Sequence, residues 1–137
     1  MPLSIPQSDP GAGQAQCLDE IEAAIRGVLT GNRFILGPET TAFEAEFAEY
    51  LAVDRVVGVG TGTDAIHLAL RALDIGDGDE VITVSHTAVA TVAAIERTGA
   101  RPVLVDVDPR TFTLDPAALP GALSPRTRAI VPVHLYG

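Results

Sequence analysis

Residues 56–70 read VVGVGTGTDAIHLAL, and they place three glycines, two threonines and an aspartate between an apolar run and a helical pattern. The run is Val56 to Val59. The helical pattern follows through Ala65, Ile66, Leu68, Ala69 and Leu70. A strand, glycine-rich turn and helix in this order present backbone N–H groups to an anion. The first N–H groups of a helix have no partner within it, and the helix dipole adds partial positive charge there. Glycine lets the backbone approach without a side chain in the way. Gly62, Thr63 and Asp64, with the hydroxyl of Thr61, therefore read as a phosphate cup. The same junction also serves turn geometry alone, with Asp64 as a first-turn acid complementing the dipole. The spacing matches neither G-x-x-x-x-G-K-[ST], since no lysine follows, nor G-x-G-x-x-G, since Thr63 stands at the third glycine.

Other reactive side chains are few. His86 follows one apolar run and His134 ends another, which suits ligands or acid–base groups as well as hydrogen-bonded loop residues. His67 falls inside a helical pattern and reads as structural. No His, Cys, Asp and Glu cluster has metal-ligand spacing, so no metal is expected, and no G-x-S-x-G supports a hydrolase triad. All nine basic residues are arginine. Chemistry that needs a lysine amine, such as a Schiff base, has no residue on residues 1–137 to perform it.

Composition bounds the rest. A chain of 137 residues with 47% hydrophobic and 20% charged residues suits one globular domain. A net charge of −9 argues against a general nucleic-acid or anionic-membrane surface, so any anion site must be local. No run reaches the roughly 18 apolar residues of a membrane helix. The first residues, MPLSIPQSDPG, lack the basic and apolar regions of a signal peptide. The single Cys17 excludes an internal disulfide and fits a reducing, cytoplasmic setting.

The elements that must position these groups follow from periodicity. Residues 1–13 are rich in proline, glycine and serine and read as an extended arm. Helices are expected over residues 16–29 and 39–51, around an apolar loop holding Phe34, Ile35 and Leu36, which must be tucked under the fold or covered by another subunit. Strands are expected over residues 56–59, 81–84, 102–107 and 129–134, with helices over about residues 62–73 and 87–98. Gly99 should stop the second of these helices. Asp115 and Pro116 should cap and open a short one. Strands alternating with helices predict a parallel α/β sheet with ligands at the strand C-ends.

Taken together, GNRFILGPETTAFEAEFAEYLAV, VGVGTGTDAIHLALRALDIGDGDEVITVSHTAVATVAAI, GARPVLVDVDPRTFTLDP and PRTRAIVPVHLYG resemble the front part of the DegT/DnrJ/EryC1/StrS aminotransferases. These are pyridoxal-phosphate enzymes that aminate keto sugars, usually on a nucleotide carrier. The resemblance covers residues 21–137. It implies an α/β fold, the parallel-sheet α/β/α part of an aspartate-aminotransferase-like (fold type I) large domain, truncated and preceded by two N-terminal helices, with residues 14–137 as the incomplete cofactor-binding domain. It implies pyridoxal 5'-phosphate as cofactor, a homodimer with active sites at its interface, a keto-sugar substrate and an amino-acid donor, with no nucleic acid and no membrane as partner. By resemblance Thr61, Gly62, Thr63 and Asp64 hold the cofactor phosphate, and the segment from Ser85 to Thr91 lies against the pyridine ring. The family often carries an aromatic at the position of Ala88. This chain departs there, which leaves His86 as the nearest planar candidate. The family's aspartate on the pyridine nitrogen and its Schiff-base lysine lie beyond the stretch matching residues 133–137. The resemblance thus implies an N-terminal portion, inactive alone, whose reading frame continues past Gly137.

Two other readings remain open on the residues. One is a non-catalytic Rossmann-like module holding a nucleotide or phosphate at residues 58–62. A nicotinamide domain, however, wants an acid after its second strand, where this chain has Ser85 and His86. The other is a homologue acting as a partner or regulator.

Overall fold

A computed structural model describes residues 9–136. The chain divides after Gly58 into two compact units. The first holds helices α1 (Pro10–Gln14), α2 (Leu18–Gly31) and α3 (Pro38–Leu51). Of the expected extended arm, residues 1–8 lie outside the described residues, and the part from Pro10 onward is helical. The cause is local: the Asp9 side chain accepts the N–H of Ala12 at 3.2 Å and so caps a single turn. Acids in its first turn and Asn32 in the left-handed region (φ 51°) bound α2. Pro38 opens α3, and Ala52 (φ 52°) closes it. Along α3 the rings of Phe43, Phe47 and Tyr50 stack in series at centroid separations of 5.5 and 6.1 Å, as helical neighbours three and four apart do. The apolar stripe of α2 and the loop residues Phe34, Ile35 and Leu36 all lie on the surface, with Ile35 85% exposed. The loop is therefore not tucked beneath its own unit.

The second unit contains α4 (Gly62–Ala72), β1 (Glu80–Val84), α5 (Val89–Glu96), β2 (Arg101–Val105), a 3₁₀ turn (Pro116–Ala118), α6 (Leu119–Ala122) and β3 (Thr127–Val131). The sheet is parallel, in the order β2-β1-β3. Every residue of β1 is buried. Its side chains alternate between two cores, as the two-residue period of a strand requires. Val81 joins Leu70, Ile75, Ile95 and Ala100 beneath α4 and α5. Ile82 and Val84 join Val105, packed against Ala118, Leu119 and Ala122 on the other face. The unit is thus a small α/β/α sandwich built on one buried strand, in agreement with the expected parallel α/β class. The buried hydroxyl of Thr83 donates to the carbonyl of Val131 at 2.9 Å. Gly99 ends α5 at φ +90°, and a Cβ there would collide with the Asp77 carboxylate, so only glycine fits. Asp115 caps the 3₁₀ turn as the sequence predicts, accepting from the N–H of Ala117 at 2.9 Å.

One expected element is missing. Residues 56–59 form no strand, and Val57 is 76% exposed. A strand needs a backbone partner, and residues 56–59 pair with none of the three strands. The Gly58 N–H instead donates to Glu44 Oε1 at 2.7 Å. Among the described residues three strands form where four were expected.

At the N-terminal end of the sheet Glu80 is buried. Its carboxylate accepts from Arg101 Nη2 at 2.6 Å, Ser124 Oγ at 2.7 Å and Arg126 Nε at 2.8 Å. These hydrogen bonds, that of Arg101 foremost, hold its pKa at about 2 against an ordinary 4.5. The folded state therefore binds fewer protons here than the unfolded one. Stability from this group is complete above about pH 4.5 and is lost as pH falls toward about 2. Denaturant unfolding of Glu80→Gln should lack this acid-side decline, whereas the parent chain should show it. Identical slopes for both across that window would remove Glu80 as its cause.

Candidate functional site

Two groups of residues occupy the positions where the sequence places chemistry. The first is the start of α4. Thr61 is its N-cap, in extended backbone (φ −152°, ψ 159°). Its Oγ1 accepts the N–H of Asp64 at 3.1 Å while its hydroxyl donates to Asp64 Oδ2 at 3.0 Å. The other carboxylate oxygen, Asp64 Oδ1, pairs with Arg97 Nη1 at 3.2 Å. Both partners are partly exposed, so the pair adds little stability, but it offsets the negative charge nearest the helix start. The N–H groups of Gly62 and Thr63 donate to nothing among the described residues. A Cβ built on Gly62 meets no atom within 4 Å, so the space over these donors is open. Two free donors at a positive helix end, with room above them, fit a phosphate. Arg97 was not foreseen. It lies far along the chain from Asp64, and no local spacing could reveal the pairing.

The second group lies beyond the C-ends of the strands. His86 follows β1, Phe112 lies in the loop after β2, and Tyr136 follows β3. Ring centroids are 5.7 Å apart for His86 and Tyr136, 5.8 Å for Phe112 and Tyr136, and 6.3 Å for His86 and Phe112. His86 Nε2 and the Tyr136 hydroxyl share a hydrogen bond of 3.0 Å. Ala88 is the N-cap of α5, exposed and without a side-chain cap bond. The hydroxyls of Thr87 and Thr91 bond at 2.8 Å and brace that turn. The loop carrying Phe112 is a small hairpin, closed by a bridge between Val107 and Leu114. Asp108 tightens it by accepting from the N–H and guanidinium of Arg110, which holds the Asp108 carboxyl below its usual range and raises Arg110.

Topology explains why these loops meet. The connection leaving β1 runs to α5 on one face of the sheet, and the connection leaving β2 runs to α6 on the other. Adjacent strands whose connections part in this way leave a crevice beyond their C-ends, where open α/β sheets take ligands. His86 and Phe112 belong to these two connections, and their rings are in contact. The sequence placed His86 here. It missed Phe112 and Tyr136, which reach His86 only through the fold. No hydrogen bond, ion pair or ring contact among the described residues joins the Thr61–Asp64 group to His86 or Ala88. His134, the other strand-end histidine, is exposed. His67 lies within α4, and its Nδ1 is buried without a partner among the described residues.

Comparison with known proteins gives this geometry a context. The model of the DegT/DnrJ/EryC1/StrS aminotransferase family matches residues 16–137. The chain is 50% identical to dTDP-3-amino-3,4,6-trideoxy-alpha-D-glucose transaminase of Streptomyces venezuelae, over 97% of this chain and 35% of that protein. It superposes on the crystal structure of S. venezuelae DesV with a TM-score of 0.90 at 50% identity, over 97% of this chain and 36% of that one. It superposes on NtdA from Bacillus subtilis, solved with bound cofactor PMP, with a TM-score of 0.82 at 38% identity, over 88% and 28% of the two chains. The chain thus spans about a third of the length of the curated relatives it matches, 35% for the Streptomyces venezuelae transaminase. A family model matching all but the first residues, with structural likeness throughout, leaves one assignment: the chain belongs to the DegT/DnrJ/EryC1/StrS aminotransferase family.

Proposed function

We propose that this chain is the cofactor-phosphate segment of a pyridoxal-phosphate aminotransferase that aminates a nucleotide-linked keto sugar with an amino-acid donor. The observation that carries the reading is the pair of free N–H groups on Gly62 and Thr63, set under open space at the start of α4 in a member of this family. Gly62 and Thr63 bind the phosphate through their backbone, and the hydroxyls of Thr61 and Thr63 border it. Thr61 also caps α4 and keeps the helix end ordered. His86 lies against the ring, and Ala88 leaves space beside it. When bound, the cofactor supplies the electron sink that amino transfer requires. Residues 1–137 contain no lysine, so the amine that anchors the cofactor's carbonyl is not among them. The exposed apolar loop from Phe34 to Leu36 supports a homodimer whose second subunit covers it. A cytoplasmic location agrees with the single Cys17.

The test uses the native polypeptide carrying this sequence, supplied with pyridoxal phosphate, a dTDP-linked keto sugar and an amino acid bearing an isotopically labelled amino nitrogen. Label is expected in the sugar nucleotide. Retention of all label in the amino acid, across dTDP- and UDP-linked keto sugars, would overturn the substrate class.

A further inference from the structure

The crevice at the strand C-ends holds more than the single ring foreseen there. His86, Phe112 and Tyr136 come from three separate connections, yet their rings touch within one cluster. Phe112 is 47% exposed and Tyr136 69% exposed, so the cluster faces outward rather than filling a core. Phe112 also sits in the left-handed region, at φ 56°. A bulky side chain rarely adopts that conformation, and it persists only where surrounding structure imposes it. Here the imposing structure is the hairpin, in which the N–H of Phe112 donates to the Asp108 carbonyl at 2.8 Å and the N–H of Asp108 to the Thr113 carbonyl at 2.9 Å. Strained backbone thus presents an apolar ring to solvent beside a ligand crevice. Across the cluster, the Tyr136 hydroxyl fixes the His86 ring through Nε2. His86 otherwise stands at an exposed loop position, with no other side-chain bond among the described residues.

We propose that His86, Phe112 and Tyr136 form one aromatic receptor for the flat face of the cofactor ring, and that Tyr136 is the positioning residue that orients His86 within it. This rests on the cofactor reading above and deepens it. Ala88 contributes no ring, and the receptor compensates by recruiting rings from the connections after β2 and β3. Tilted and edge-to-face geometries at these separations suit a planar heteroaromatic ligand. The Tyr136 hydroxyl acts only through His86, so its removal should matter only while the imidazole is present.

The experiment is a double-mutant cycle in the native polypeptide. It measures the pyridoxal-phosphate dissociation constant and the induced circular dichroism of the bound cofactor, which reports ring orientation. Tyr136→Phe, which keeps the ring and loses the hydroxyl, should weaken binding about three- to tenfold and change the dichroism. In a His86→Ala background the same change should have almost no effect, since the two residues act as a unit. Phe112→Ala should weaken binding in either background. Equal effects of Tyr136→Phe with and without His86, or no effect at all, would overturn the positioning role. Thr63→Val separates this failure from failure of the cofactor reading. If Thr63→Val weakens binding while the cycle shows no coupling, only the aromatic receptor falls. If the cofactor does not bind, or Thr63→Val is silent, both readings fall.

Discussion

Ile82→Ala is expected to lower the stability of the second unit by about 2–5 kcal/mol, the range for emptying a buried aliphatic site. Ile82 is fully buried at the middle of β1, among Val84, Val105 and the side chains beneath α6. Its neighbour in register on β3 is Ile130, which is 42% exposed. The two positions have the same residue type, strand geometry and sheet, and they differ in burial. Ile130→Ala should therefore cost well under half as much, since little apolar surface is returned to water there. Urea midpoints for the two variants, with unchanged slopes, are the measurement. Comparable losses would mean that the core does not lie where Ile82 places it. The effect should reach the site as well, because His86 follows β1 two residues beyond its C-end and α5, which supports Arg97, packs on its other face.

The second large effect is at the start of α4. Thr63→Val preserves shape and removes one hydroxyl next to two free backbone donors. Losing a hydrogen bond to a charged group should weaken cofactor binding by about 1–3 kcal/mol. His67→Gln lies on the same helix, away from the first turn, and should do much less. The helix itself should survive Thr63→Val, because the cap bonds belong to Thr61 and Asp64.

What was legible in the sequence and what was not divides along the range of the interactions. The two long helices, the strand at β1 and the caps at Asp115 and Gly99 follow from period and local chemistry, and they stand close to where the residues placed them. The helix start at residues 61–64 was legible for the same reason, since its glycines and threonines are contiguous. The strand over residues 56–59 failed because an apolar run makes a strand only when it pairs with another backbone segment, which a local pattern does not show. Arg97, Phe112 and Tyr136 were illegible because each reaches its partner through the fold: Arg97 to Asp64, and the two rings to His86. Pattern shows which residues start a loop, while topology decides which loops meet.

A phosphate site at Gly62 and Thr63 is tested most directly by comparing the dissociation constants of pyridoxal phosphate and of pyridoxal, which lacks the phosphate, in the native polypeptide and in Thr63→Val. The parent should bind the phosphorylated form far more tightly, and Thr63→Val should narrow the gap by weakening the phosphorylated form alone. Equal affinities of the parent for the two compounds, or an equal loss for both in Thr63→Val, would contradict it.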